Sequence, residues 1–144
     1  MLSRMADVEY MHICDYAFPA EGGKPCIIGI FDRITAQSFP AGHPFMSVAI
    51  QLRGTAHEMV PIKIELGRPN GDVIVGMEGQ VAVSDTGAAF INFNIVNTQF
   101  PEAGRYVVKV SSAGKTLASH SLHLVKGQGP LPSAPPGSDP KKFH

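Results

Sequence analysis

Three residues near the start of the chain have the types that bind metals or form disulfides: His12, Cys14 and Cys26. His12 and Cys14 stand two apart, so on a strand both side chains leave the same face. If the turn after Phe18 folds the chain back symmetrically, Cys26 falls opposite Cys14 on the returning strand. Two thiolates and an imidazole would then suit zinc, and the two cysteines alone would suit a cross-strand disulfide. A structural zinc site wants a full tetrahedral set at tighter spacing. The plainer account is two small, buried, apolar cysteines beside a strand histidine. The sequence therefore assigns no metal and no cofactor, with His12, Cys14 and Cys26 as the residues to check.

His120 and His123 form a second ligand pair on paper, but on a strand a spacing of three sends them to opposite faces. Asp15, Asp32, Asp72 and Asp85 fall at strand ends, where calcium-binding loops gather aspartates, yet none has an Asp-x-Asp neighbour. Asp72 and Asp85 read as turn residues. Asp15 and Asp32 interrupt apolar strands and read as acceptors for backbone, Lys24 or Arg33 near the first loop. No Gly-x-Ser-x-Gly elbow is present, and Gly67-Arg68-Pro69-Asn70-Gly71 is a hairpin turn, not a phosphate loop. The catalytic set is empty.

The elements that must position these residues are strands. Val8–Phe18 alternates, with Met11 and Ile13 on one face and Tyr10, His12, Cys14 and Tyr16 on the other. Cys26–Phe31 is a continuous apolar run and predicts a buried strand, with Gly29 marking a bulge or a close backbone approach. Two prolines and a glycine in Phe39–Pro44 predict a break. Phe45–Arg53 turns Met46, Val48, Ile50 and Leu52 inward and Ser47 and Gln51 outward. Met59–Leu66 does the same with Val60, Ile62, Ile64 and Leu66, while Pro61 favours an edge or a strand end. Val73–Val75, Gln80–Ser84 and Ala88–Asn97 follow, the last with Ala89, Ile91, Phe93 and Ile95 inward. Tyr106, at the start of a strand ending near Ser111, is placed to bond back to the corner Glu102–Gly104. In Thr116–Val125 the parity of Leu117 opposes that of Leu122 and Leu124, predicting a bulge between Ala118 and Ser121.

With no helical period, the pattern predicts an all-β fold: a two-sheet antiparallel immunoglobulin-like β-sandwich. The division is a leader at 1–6, the sandwich at 7–126 and a disordered proline-rich tail at 127–144, where Pro130, Pro132, Pro135, Pro136 and Pro140 cluster. The 144 residues suit one domain.

Twelve basic and twelve acidic side chains cancel, which removes the strong phosphate attraction behind nucleic-acid binding. No run approaches the roughly 20 apolar residues of a membrane helix, and the N-terminus lacks a signal-peptide core. Two cysteines are too few for a secreted disulfide framework. A cytoplasmic protein is expected, contacting neither membrane nor nucleic acid. Charged residues make up 17% of the chain and apolar ones 44%, a low charge fraction beside the usual roughly 25%. That points to self-association or a protein partner.

His12-Ile13-Cys14-Asp15-Tyr16-Ala17, Gly23-Lys24, Ile27 to Ile34, Phe39-Pro40 and the corner Phe100 to Tyr106 occur in an order that resembles an uncharacterised bacterial family of small β-sandwich proteins, the DUF6941-like domains of unknown function. The resemblance spans Val8 to Val125. It implies the fold and hands over no catalytic residue. The reading of the whole is a non-enzymatic interaction or structural module. The alternative is a small-ligand or metal-dependent enzyme whose site gathers His12, Cys14, Asp15 and Asp32.

Overall fold

Alternating apolar residues bury one face of the longer central strands, and those faces meet in one core. The computed structural model describes residues 6–128. Nine strands follow in order: β1 (Asp7–Pro19), β2 (Pro25–Ile30), β3 (Arg33–Ala36), β4 (Ala41–Arg53), β5 (Met59–Gly67), β6 (Val73–Ala82), β7 (Ala88–Phe100), β8 (Gly104–Ser112) and β9 (Lys115–Lys126). A single 3-10 turn, Glu21–Gly23, interrupts them, and no α-helix occurs among the described residues. The expected tail lies, beyond Gln128, outside the described residues, as does the leader before Ala6.

The strands form two sheets, ordered β2-β1-β4-β7 and β3-β9-β8-β5-β6. Met11, Ile13, Met46, Val48, Ile50, Leu52, Phe93 and Ile95 from the first sheet share one buried cluster with Val60, Ile62, Ile64, Leu66, Tyr106, Val108, Val110, Leu122 and Leu124 from the second. The inward sets read from alternation in β4 and β5 therefore belong to the core, as do Tyr106, Val108 and Val110 of β8. Ile91 is only half-buried.

Five expectations of the fold need correction. Val73–Val75 and Gln80–Ser84, read as two short strands, belong to one continuous strand, β6, which ends at Ala82 and is paired along β5. The pairing is not wholly antiparallel: β3, read as a link, runs parallel to β9 with Ile34 beside Leu124. The chain thus passes from one sheet to the other at Asp32. The apolar run Cys26–Phe31 is not a buried strand, because β2 lies at the edge of its sheet, with Ile28 and Ile30 exposed. The proline-rich Phe39–Pro44 does not end the strand either: β4 begins at Ala41 and pairs with β7 from Ala41–Phe100 onward. Finally, the bulge in β9 falls one residue before its expected span, since Val110 faces Ala118 and Ser111 faces Thr116, leaving Leu117 unpaired.

Pro61 faces Gln80 on β6, while β5 meets β8 only from Lys63 to Gly67. Its missing N–H therefore falls where β8 no longer runs alongside, the strand-end position its chemistry demands.

Candidate functional site

The register of β1 and β2 decides the first constellation. Cys14 faces Ile30 and Cys26 faces Phe18. The two cysteines are therefore four residues apart along the ladder, roughly 13 Å, far beyond the reach of a disulfide at about 7 Å. Both are free thiols. The symmetrical return that would have brought them together fails because the 3-10 turn and its flanks put Pro25 opposite Pro19. His12 faces Ala49 on β4 and stacks on Tyr10 with ring centroids 5.4 Å apart. Among the described residues no group of three or more His, Cys, Asp and Glu side chains is placed to hold a metal ion.

Cys14 is fully buried and its Sγ–H points to the Ser47 carbonyl oxygen at 3.5 Å. Burial, helped by the charge of Asp15, pushes its thiol up to about 11. A thiol held neutral in this way is a packing group, not a nucleophile. Ser47, expected to point to solvent, is fully buried beside it and donates to Asn94 Oδ1 at 3.1 Å. Cys14, Ala17 and Ala49 make a small second cluster, with Ile27 and Phe90 packed against it.

The four residues of the enzyme alternative do not converge. Asp15 alone of them lines a cleft of about 380 Å³, together with Gly29, Phe31, Arg33, Thr35 and His43. Gly29 has φ +73, and a Cβ there would collide with the Asp15 carboxylate, so the glycine answers to a close approach. His12 and Cys14 lie elsewhere on β1. Asp32 instead accepts the His123 N–H through its backbone carbonyl at 2.8 Å. Neither Asp15 nor Asp32 makes an ion pair with Lys24 or Arg33 among the described residues. His120 and His123 face Val108 and Arg105 in unbroken register, so they stay on opposite faces.

His43 is the residue the sequence hid. It stands opposite Thr98, and both His43 Nε2 and Thr98 Oγ1 are buried without a partner. Burial pushes the His43 imidazole below its ordinary value, while the Asp15 charge and a backbone bond with Phe45 pull the other way. The only signal in the sequence was a histidine between Gly42 and Pro44, a stretch whose composition reads as a break.

Two further surface features stand out. Across the solvent side of the second sheet runs a groove of about 750 Å³ lined by Lys63, Glu65, Glu78, Lys109, Ser111 and Thr116. There Glu65 lies 3.7 Å from both Lys63 and Lys109, pairs that near the surface are worth little.

The other feature is apolar. Tyr16 faces Ile28 and Phe18 faces Cys26 across the β1–β2 ladder, so these four side chains share one face. Tyr16 is 56% exposed, Phe18 43% and Ile28 49%, with Ile30 at 58% further along β2. Phe45 stacks on Tyr16 at 5.4 Å. Large aromatic and aliphatic side chains are thus gathered in the open where β1 and β2 run together.

A family model described as a family of unknown function (DUF6941) matches residues 9–125. The chain belongs to that family. The function of DUF6941 is unknown, and no curated protein matches the chain. Among solved structures, this DUF6941 chain is similar to the C-terminal domain of wzt at 13% identity, covering 91% of this chain and 80% of that one with a TM-score of 0.49. It is similar to an immunoglobulin-like protein from Pseudomonas aeruginosa at 13% identity, with 85% and 98% covered and a TM-score of 0.44. It is also similar, at 13% identity over 83% of its length with a TM-score of 0.48, to the Pseudomonas fluorescens alkylpurine DNA glycosylase AlkC bound to DNA containing an abasic site analog. The chain spans 30% of that glycosylase. None of these likenesses assigns an activity. No helix among the described residues is long and apolar enough to cross a membrane.

Proposed function

We propose that the protein is a non-enzymatic interaction module, an immunoglobulin-like β-sandwich that docks a protein partner along the free edge made by β1 and β2. The architecture in this reading rests on strand order. It takes β1-β4-β7 to face β9-β8-β5-β6 across the shared core; β8 and β9 pair in antiparallel, and Tyr106 bonds back to the corner before β8, which supports it. A cytoplasmic setting goes with it, since Cys14 and Cys26 stand too far apart in register to pair with each other.

The observation that carries the function is the exposed row of Tyr16 and Phe18 on β1 beside Ile28 on β2, the last an edge strand without charged side chains. Each of these residues is already about half covered, so burying the rest against a partner gains roughly 1 kcal/mol apiece, and the unpaired backbone of an edge supplies hydrogen bonds to an added strand. Affinity capture with the full chain and with Ile28→Lys tests it. Proteins retained by the wild type and lost by a variant with the same circular dichroism spectrum support the reading. An identical retained set rules the edge out.

One observation favours a second reading: the cleft that gathers Asp15, Arg33 and His43 beside the unpartnered His43 Nε2. Its mixed charges suit a small polar ligand. An amide NMR screen of small carboxylates and amines would move the signals of Gly29, Ile34 and Thr35 if the cleft binds them. Unmoved signals across the screen would dismiss it.

A further inference from the structure

Resting on the edge reading above, we infer that the partner is a second copy of this chain, joined β2 to β2 in antiparallel about a two-fold axis. β2 pairs with β1 on one side and with nothing among the described residues on the other. In this inference the strand that completes it comes from another molecule, and pairing with its own copy closes the assembly at two.

Charge selects that occupant. From Pro25 to Phe31 the chain carries no charged side chain, with Lys24 immediately before the stretch and Asp32 immediately after it. Antiparallel self-pairing brings the start of one β2 to the end of the other, which sets Lys24 of each copy at the level of Asp32 of its mate. The symmetry makes this happen at both ends. A parallel arrangement would set like against like. The ion pairs among the described residues are Arg53–Glu9, Lys63–Glu65, Arg68–Glu102 and Lys109–Glu65, so neither Lys24 nor Asp32 forms one among those residues.

The apolar patch fits the same occupant. Ile28 lies on the edge strand and Tyr16 and Phe18 one strand in, so a two-fold axis between the two β2 strands sets one copy's row beside the other's on a common face. Pro25 and the positive φ of Gly29 keep the pairable stretch short. Edges blunted by such residues resist open-ended stacking, and the expected product is a reversible dimer, not a fibre.

The test is sedimentation equilibrium of the full chain over a wide concentration range, with the variants Lys24→Asp, Asp32→Lys and the two combined. The wild type is expected to form a reversible dimer that weakens as salt rises. Each single reversal puts like charges at both ends and weakens the dimer by roughly tenfold. The double swap restores it, and circular dichroism confirms that all four chains fold. A wild type that is monomeric throughout overturns the inference, as does a dimer indifferent to the single reversals. A monomer whose capture of other proteins still depends on Ile28 sinks self-pairing alone and leaves the edge reading standing. A dimer unaffected by Ile28→Lys sinks both.

Discussion

The Tyr106 hydroxyl donates to the carbonyl oxygen of Glu102 at 2.6 Å and accepts that residue's own N–H at 3.3 Å. One side chain thus satisfies both polar groups of a corner residue between β7 and β8. Its ring, fully buried, meets Phe100 edge-on at 5.1 Å and lies 4.8 Å beneath the Arg68 guanidinium, while Arg68 pairs with Glu102. The corner is held from inside and outside by the same residues.

Tyr106→Phe keeps the ring and removes only the hydroxyl. The expected cost is about 1 kcal/mol, because Glu102 is exposed and water can replace part of the lost bonding. Urea unfolding should show a lower midpoint with an unchanged slope. An unmoved midpoint would mean the hydroxyl contributes nothing to holding the corner.

Gly67 and Gly76 make a matched pair. A Cβ on Gly67 would collide with the Asp72 carbonyl oxygen, and that oxygen is fixed by accepting the Arg68 N–H at 2.7 Å. Backbone on both sides cannot give way as a side chain can, so Gly67→Ala should cost about 1–3 kcal/mol. At Gly76 on β6 nothing lies within 4 Å of the added carbon. Gly76→Ala should be neutral or slightly stabilising, by about 0.5 kcal/mol, since it restricts the unfolded chain. Equal melting temperatures for the two variants would refute the steric account.

The interior of this fold was most readable where one face of a strand is dry and the other wet, as in β5, where Val60 to Leu66 announce themselves by parity. In β4 parity named Met46 to Leu52 but missed the second covered face, where Ser47 and Ala49 are buried. What parity cannot report is which strand ends up at an edge. Cys26–Phe31 is apolar enough to sit between two covered faces, and composition alone does not distinguish burial within a chain from burial against a partner. The parallel pairing of β3 with β9 joins residues some ninety positions apart, as with Arg33 and His123, beyond the range of any local pattern. The candidate cleft was missed for a third reason: the residue that completes it, His43, lies in a proline-rich segment that β7 nevertheless draws into the sheet.

That segment explains a local switch in the pattern. In β7 the buried positions are odd up to Ile95 and even from Thr98, across Asn97 at φ 52. Pro44 lies opposite, between the pairs Phe45–Val96 and His43–Thr98. The left-handed backbone at Asn97 is what turns Thr98 and Phe100 inward. Asn tolerates that conformation and a β-branched residue does not. Asn97→Val should therefore cost about 1–2 kcal/mol, whereas Asn97→Gly should leave the denaturation midpoint almost where it was. Similar losses in both would place the cost in the side chain's contacts and not in its backbone angle.

Cys14 supplies a pH signature. Its thiol is pushed from the ordinary value of 9.0 up to about 11, first by burial and then by the charge of Asp15. The folded state thus holds its proton where the unfolded chain has released it. The linkage sign follows: the stability this group contributes is fully present below about pH 9 and is lost as pH rises towards 11. Lysines and tyrosines titrate in the same window, so the decisive quantity is the difference between the wild type and Cys14→Ala. The variant should be less stable at neutral pH, because a cavity is left, yet fall less steeply between pH 9 and 11. Native alkylation with iodoacetamide at pH 8 should likewise modify Cys26 and spare Cys14 until the chain is unfolded. Rapid labelling of both thiols, or parallel stability curves for the two proteins, would contradict the burial of Cys14 beneath Ser47 and Ala49.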